Sequence, residues 1–73
     1  GLFNPGDLVI IIEDCPLEYF VGKVGIVISN LGNDRSVIHP DHFYYNVSLS
    51  DGANHIFSEE ELAMLSKVKK QNV

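Results

Sequence analysis

The sequence predicts an all-β domain, a small barrel of five short strands. Apolar residues alternate at Val24, Ile26 and Ile28, which is typical of a strand with one buried face. Gly22 and Gly25 interrupt the same stretch. A glycine inside a strand suits a place where a small sheet bends or where another backbone comes close. We therefore interpret 22–29 as the central strand, with the other strands arranged around it.

Length and composition set the scale of this domain. The chain has 73 residues, of which 45% are hydrophobic, so we expect one globular domain over 1–73. Its core should span about residues 5–68, followed by a frayed C-terminal tail. A chain of this length buries only about 60% of its unfolded surface, so the core is thin.

The charge balance and the cysteine content exclude several classes of protein. The formal net charge is −5, with only five basic residues, which argues against a broad nucleic-acid footprint. No apolar run approaches the roughly 18 residues of a membrane span. The single cysteine, Cys15, cannot form an intrachain disulfide, and this favours a cytoplasmic protein.

The first strand is predicted at 8–12, after a turn at 4–7 that contains Pro5 and Gly6. Its five residues are all apolar, so the pattern does not alternate. Strict period two places Leu8, Ile10 and Ile12 inside and leaves the other two residues outside. Either the C-terminal segment or a partner would then cover that second face.

The later elements follow from turn and capping signals. We predict a polar connection at 30–41, a third strand at about 42–49, and a fourth at about 53–57. Asp51-Gly52 between them is typical of a type I′ hairpin turn. Ser58 and Glu61 have capping-box spacing, with Phe57 and Leu62 placed as a hydrophobic staple. They predict a short helical or 3₁₀ turn before a last strand at about 65–69.

The predicted core follows from these strand faces. It consists of the apolar residues assigned to the inner face, namely Leu8, Ile10, Val24, Ile26, Val47, Leu49, Phe57 and Leu62. Because a buried isoleucine is expected to contribute strongly, truncating Ile26 to alanine should cost roughly 2–5 kcal/mol.

Four short motifs resemble those of SH3-like small barrels. They are Gly6-Asp7-x-Val9, Gly22-x-x-Gly25-x-Val27, Tyr45-x-Val47-x-Leu49 and Phe57-x-x-x-Glu61-Leu62. The pattern is similar to KOW-type domains of ribosomal and transcription proteins, and equally to the photosystem I subunit IV and electron-transport accessory group. The resemblance implies five strands with a 3₁₀ turn before the last. KOW domains that bind RNA are usually basic near this loop, whereas Glu13, Asp14 and Glu18 are acidic here.

No residue pattern predicts an enzyme, a cofactor or a metal site. His39 and His42 flank a proline, and with Cys15 or His55 they lack the paired short spacings of a structural zinc site. Cys15 has acidic sequence neighbours, which would raise its pKa and disfavour a nucleophilic thiol. We therefore expect a non-enzymatic protein without cofactor or bound metal.

The loop aromatics are the best candidates for a binding site. Tyr19 and Phe20 lie in the 13–21 loop and Tyr44 lies on the outward face of the third strand, and exposed aromatics are common interface anchors. They can equally cap the ends of a thin core. As an interface, the three rings would form one patch, flanked by Glu18 and its acidic neighbours, for a partner with a basic surface. Replacing Tyr19 and Tyr44 together by alanine should then weaken binding by at least about 2 kcal/mol.

These features predict a small protein-interaction module or an accessory subunit of a larger complex. Two alternatives stay open. The glycine pattern and the basic tail at Lys67, Lys69 and Lys70 fit a KOW-like domain that contacts RNA or a ribonucleoprotein. The resemblance alone implies an accessory subunit of an electron-transport or photosynthetic complex.

Overall fold

A computed structural model describes residues 2–33 and 43–67 as an all-β domain. Five antiparallel strands form one sheet, and two 3₁₀ turns lie outside it. The strands are β1 (Leu8–Ile11), β2 (Val24–Asn33), β3 (Phe43–Leu49), β4 (Asn54–Ser58) and β5 (Leu62–Ser66). The first 3₁₀ turn is Glu18–Phe20 and the second is Glu59–Glu61. The predicted all-β class, with a 3₁₀ turn before the last strand, is confirmed.

The sheet has the strand order β4-β3-β2-β1-β5 and is not closed into a barrel. Its edge strands β4 and β5 do not pair with each other within the described residues. The closed barrel that the sequence predicts is therefore wrong: the strands form an open antiparallel sheet. The strand order of this sheet is compatible with a small barrel-like fold. In this part of the chain no helix is long and apolar enough to cross a membrane.

β2 and β5 differ most from the predicted strands. β2 continues to Asn33, into the region predicted as a connection, because it pairs with β3 as far as Phe43. Two register shifts, between Val27 and Ser29 and between Asn30 and Gly32, leave Ile28 and Leu31 without a partner in the β2–β3 register. β5 begins directly after the second 3₁₀ turn, since Leu62 pairs with Ile11. The rest of the predicted connection, at 34–41, the first residue of the predicted third strand, at 42, and the predicted tail lie outside the described residues.

The buried faces of β1 and β2 are the opposite of those predicted. Val9 and Ile11 are at most 1% exposed, whereas Ile26 is 48% exposed. Leu8, Ile10 and Val24 are only half-buried. The expected 2–5 kcal/mol for Ile26→Ala assumed a buried side chain and is wrong for this position.

Gly25 is the physical reason for this reversal. It is buried and pairs with Val9 and Leu49. A Cβ on Gly25 would lie 2.6 Å from Val47 Cγ1 and 2.7 Å from the Ser48 carbonyl oxygen. The glycine therefore occupies an inward position where β2 approaches β3 too closely for a side chain. Since alternate residues share a face, Val27 is buried and Ile26 points outward.

The remaining predicted core residues are confirmed. Val47, Leu49, Phe57 and Leu62 are each at most 4% exposed. They cluster with six buried residues that are absent from the predicted list, namely Phe3, Val9, Ile11, Cys15, Val27 and Tyr45. The hydroxyl of Tyr45 accepts a hydrogen bond from the Phe3 N–H and donates one to Glu59 Oε2, each 3.4 Å long. The buried phenol is thus satisfied by the chain.

The hairpin between β3 and β4 is not the predicted type I′ turn. That turn needs positive φ at both central residues. Gly52 has φ 91°, but no residue other than glycine has positive φ within the described residues. The Leu49 N–H instead donates to the Ala53 carbonyl at 2.8 Å and the Gly52 N–H to the Leu49 carbonyl at 3.0 Å, which encloses the loop 50–52. Asp51 Oδ1 accepts the Ala53 N–H at 3.0 Å and fixes this longer loop.

The strands are free of formal charge. None of the five contains aspartate, glutamate, lysine or arginine. All such residues in the described part of the chain lie in turns and connections. The sheet therefore presents an uncharged surface framed by charged loops.

Candidate protein-binding surface

The first 3₁₀ turn is built by local backbone hydrogen bonds. The Phe20 N–H donates to the Leu17 carbonyl at 3.0 Å, and the Val21 N–H donates to the Glu18 carbonyl at 3.1 Å. Gly22, with φ 88°, reverses the chain after the turn and donates its N–H to the Ile11 carbonyl at 2.8 Å. The turn is thus fastened to β1 and holds its two aromatic residues in fixed positions.

Three rings meet beside this turn and form what we call the aromatic ledge: Tyr19, Phe20 and His55. The Tyr19 and Phe20 centroids are 5.1 Å apart with planes at 78°. Phe20 lies 4.6 Å from His55 and, behind it, 5.4 Å from the buried Phe57. These separations are those of favourable edge-to-face and tilted ring pairs. The ledge is therefore continuous with the hydrophobic core.

Tyr19 is the exposed end of the ledge. Its side chain is 70% exposed. Lys23 Nζ lies 4.7 Å from the centre of the Tyr19 ring, within the range of a cation–π contact. The ring is thus held between an ammonium group and Phe20 while much of its surface faces solvent.

Acidic residues lie along the same connection. Glu18 is the first residue of the turn and is exposed. Glu13 and Asp14, on the preceding segment, are also exposed. Sequence reasoning identified these three carboxylates correctly as surface groups.

Tyr44 is not part of the ledge. It pairs with Ser58 on β4, while the next residue, Tyr45, pairs with Phe57. Because successive side chains on a strand point to opposite faces, Tyr44 faces away from the buried Tyr45 and Phe57. Phe20 contacts Phe57 on the inner side. The expectation that Tyr19, Phe20 and Tyr44 form one patch is therefore wrong, and whether each ring binds a partner stays a prediction.

Sequence reasoning missed His55 as a member of this surface. The alternation of side chains along β4 could have identified it, because His55 lies two residues before the buried Phe57 and therefore on the same face. In the structure His55 pairs with Val47. This places it on the inner face, at the half-buried rim where Phe20 packs. The sequence had suggested it only as a weak metal ligand.

Cys15 does not contribute a reactive group to the surface. Its side chain is 4% exposed, and its thiol donates to the Leu17 carbonyl at 3.7 Å. Burial raises the pKa of the Cys15 thiol, and the nearby negative charge of Glu61 raises it further. A raised thiol pKa leaves little thiolate, the form that acts as nucleophile.

Potential metal ligands lie apart from one another in the described residues, and one surface hollow there is small. Over 2–33 and 43–67 no three His, Cys, Asp or Glu side chains are grouped to hold a metal ion. His39 and His42 lie outside these ranges. A hollow on the outer face, lined by Leu8, Val24, Ile26 and Ser48 among others, has a volume of about 200 Å³, below the usual size of small-molecule sites.

The arrangement is thus an oriented aromatic surface with acidic residues on the same connection and a buried thiol. No protein-family model, no curated protein and no solved structure matches the chain. Its function must be argued from the surface itself.

Proposed function

We propose that this chain is a non-enzymatic protein-interaction module of SH3-like type that binds a segment of a partner protein on the aromatic ledge. The strand order and the 3₁₀ turn before β5 support the SH3-like assignment. The observation that carries the binding proposal is Tyr19. It is 70% exposed, yet its ring is oriented by Lys23 and Phe20.

An oriented, exposed tyrosine is well suited to bind a protein. Tyrosine offers a large contact area and a polar tip with few rotatable bonds, so little entropy is lost on binding. Phe20, partly buried against the core, supports the ring from behind. Tyrosines in such positions are often the residues that dominate the affinity of an interface.

The acidic neighbours favour a partner with a basic surface. Glu18 is the first residue of the turn that carries the ledge, Glu13 and Asp14 lie earlier on the same connection, and all three are exposed. The whole chain carries a net charge of −5. Complementary charges increase the association rate and reject acidic partners. The partner is therefore proposed to place an apolar group on Tyr19 and cationic groups on these carboxylates.

The test compares Tyr19→Ala with a matched control, Leu17→Ala. Leu17 is close in sequence, apolar and 58% exposed, and neither change removes core volume. Proteins retained by the immobilised wild-type chain are identified by quantitative mass spectrometry, and the affinity of the most enriched protein is measured by calorimetry. We expect Tyr19→Ala to weaken binding by about 2 kcal/mol and Leu17→Ala to leave it nearly unchanged.

Two results would contradict the proposal. Equal affinity of wild type and Tyr19→Ala, with both proteins folded, would remove the ledge as the binding surface. Tight binding to a homopolymeric RNA that weakens steeply with salt would favour the KOW-like alternative, because phosphate contacts release counterions.

A further inference from the structure

The edge of the sheet formed by β4 is a second surface with binding capacity. β4 pairs with β3 along its whole length, from Asn54 to Ser58. On its other side no strand pairs with it within residues 2–33 and 43–67. An edge strand offers a row of backbone N–H and C=O groups that can receive another strand.

The hydrogen-bond pattern shows which of these groups point outward. The Leu49 N–H donates to the Ala53 carbonyl. Backbone groups in an antiparallel strand alternate between the two sides, so Ala53, His55 and Phe57 direct theirs toward β3. Asn54, Ile56 and Ser58 then direct theirs outward. The Ser58 N–H is already donated to Glu61 Oε1 at 2.8 Å. Within the described residues, Asn54 and Ile56 are therefore the two residues of β4 whose outward N–H and C=O groups can both pair with a sixth strand.

Charge, proline and a bulge, three of the usual protections of an edge strand, are missing from β4. The strand contains no charged residue and no proline, and its register with β3 has no bulge. Ile56, at its centre, is 63% exposed. An uncharged, regular edge of this kind is a template on which another chain can pair.

Charge selects the kind of strand that fits. Asp51 lies in the loop before β4, and Glu59 and Glu60 follow it directly. A second copy of this chain, paired antiparallel about Ile56, would bring Asp51 of one copy toward the Glu59–Glu61 turn of the other. Like charges opposed in this way are unfavourable. An extended segment with basic residues at both ends would meet favourable charge instead.

We propose that β4 binds an extended, basic-flanked segment of another protein as an added antiparallel strand, through the outward backbone groups of Asn54 and Ile56. Main-chain hydrogen bonds would provide affinity, and the flanking charges would provide selectivity. This site is separate from the aromatic ledge. It shares the proposed role in protein binding but uses backbone groups of β4 rather than aromatic side chains.

The experiment titrates the ¹⁵N-labelled protein with a synthetic peptide of alternating valine and threonine that has lysines at both ends. We expect the amide resonances of Asn54 and Ile56 to shift and their exchange with solvent to slow. A peptide with glutamates in place of the lysines, and one N-methylated at its central residues, should each bind at least about tenfold more weakly.

Variants of the protein separate the edge from the ledge. Ile56→Pro removes an outward N–H that β3 does not use, a position where proline is tolerated on an edge strand, and should weaken peptide binding by about tenfold or more. If Ile56→Pro fails to fold, Ile56→Lys replaces it in the test. This variant keeps the backbone N–H, and its lysine should weaken binding by repelling the lysines of the peptide. Tyr19→Ala should bind the peptide like the wild type.

Three outcomes would overturn the proposal. They are unshifted Asn54 and Ile56 amides at saturating peptide, wild-type affinity in a folded Ile56 variant, and a stable homodimer joined through β4. Loss of peptide binding in Tyr19→Ala would assign the peptide to the ledge, which would overturn the edge proposal while leaving the proposed function standing.

Discussion

At the scale of single residues, Gly25 determines which faces of β1 and β2 are buried. The space where its side chain would lie is filled by Val47 Cγ1 and the Ser48 carbonyl oxygen. A side chain at this point would force β2 and β3 apart. Gly25 also pairs with Val9 on β1, and both residues are buried.

Gly25→Ala is expected to destabilise the fold by about 1–3 kcal/mol, the usual cost of overpacking a core. The free energy of unfolding is measured by urea denaturation. The control is a double-mutant cycle with Val47→Ala, which removes one of the two colliding groups. Val47→Ala should cost less in the Gly25→Ala background than in the wild type. Strictly additive costs would contradict the contact.

The same residue shows why the core could be predicted only in part. Val24, Ile26 and Ile28 alternate as the residues of a buried face do. The burial of Gly25 cannot be recognised from hydropathy, because glycine has no apolar side chain. β1 is apolar at every position, so it could not correct the error. β3 alternates apolar with polar residues, and Val47 and Leu49 were therefore assigned correctly.

At the scale of elements, the second 3₁₀ turn connects three parts of the chain. Glu61 Oε1 accepts the Ser58 N–H at 2.8 Å and the Ser58 hydroxyl at 3.1 Å, so the predicted capping box is present. The Glu61 carbonyl accepts the Ile12 N–H at 2.9 Å. Phe57 and Leu62, on either side of the box, are both buried. The turn thereby joins β4 to β5 and fixes the end of β1.

Ser58→Ala removes the hydroxyl of this box and should cost about 0.5–2 kcal/mol of stability. Ser66→Ala is the matched control, because Ser66 is exposed near the end of β5; it should change stability by less than about 0.5 kcal/mol. Chemical denaturation of both variants decides the matter. Equal stabilities would show that the hydroxyl of Ser58 contributes nothing to the turn.

Local signals predicted these elements well and their lengths less well. The capping box depends on residues three apart, and such spacing can be recognised without tertiary information. The end of β2 depends on pairing with β3 across a long connection, and bulges permit pairing where the local sequence suggests a loop. The place of His55 in the aromatic ledge likewise depends on its pairing with Val47 on the neighbouring strand, which is a contact between residues distant from any local signal.

At the scale of the whole molecule, stability should fall in alkaline solution. Burial raises the pKa of Tyr45, as it does for Cys15, and neighbouring carboxylates add to both shifts. The free energy of unfolding is therefore highest below the pKa values of the unfolded chain, about 9.0 for the thiol and 10.0 for the phenol. Between the unfolded and the folded pKa of each group it falls as the pH rises, because the unfolded chain releases its protons first.

Tyr45→Phe tests this expectation. At neutral pH the free energy of unfolding of the variant should be lower by roughly 0.5–1.5 kcal/mol, because phenylalanine cannot donate the hydrogen bond to Glu59. The variant should also show a shallower decline of stability above pH 10 than the wild type. Cys15→Ala should instead reduce the part of the decline that begins near pH 9. Identical alkaline profiles for the wild type and Tyr45→Phe, from denaturation series, would contradict the assignment.

The uncharged strands also have an evolutionary consequence. Since every Asp, Glu, Lys and Arg of the described chain lies outside the sheet, substitutions that alter the isoelectric point fall on connections whose side chains contribute little to folding. The exceptions include buried Asp7, the capping residue Glu61, and Glu59, which accepts a hydrogen bond from Tyr45. A lineage could otherwise invert the sign of this protein's surface charge while inheriting its sheet unchanged.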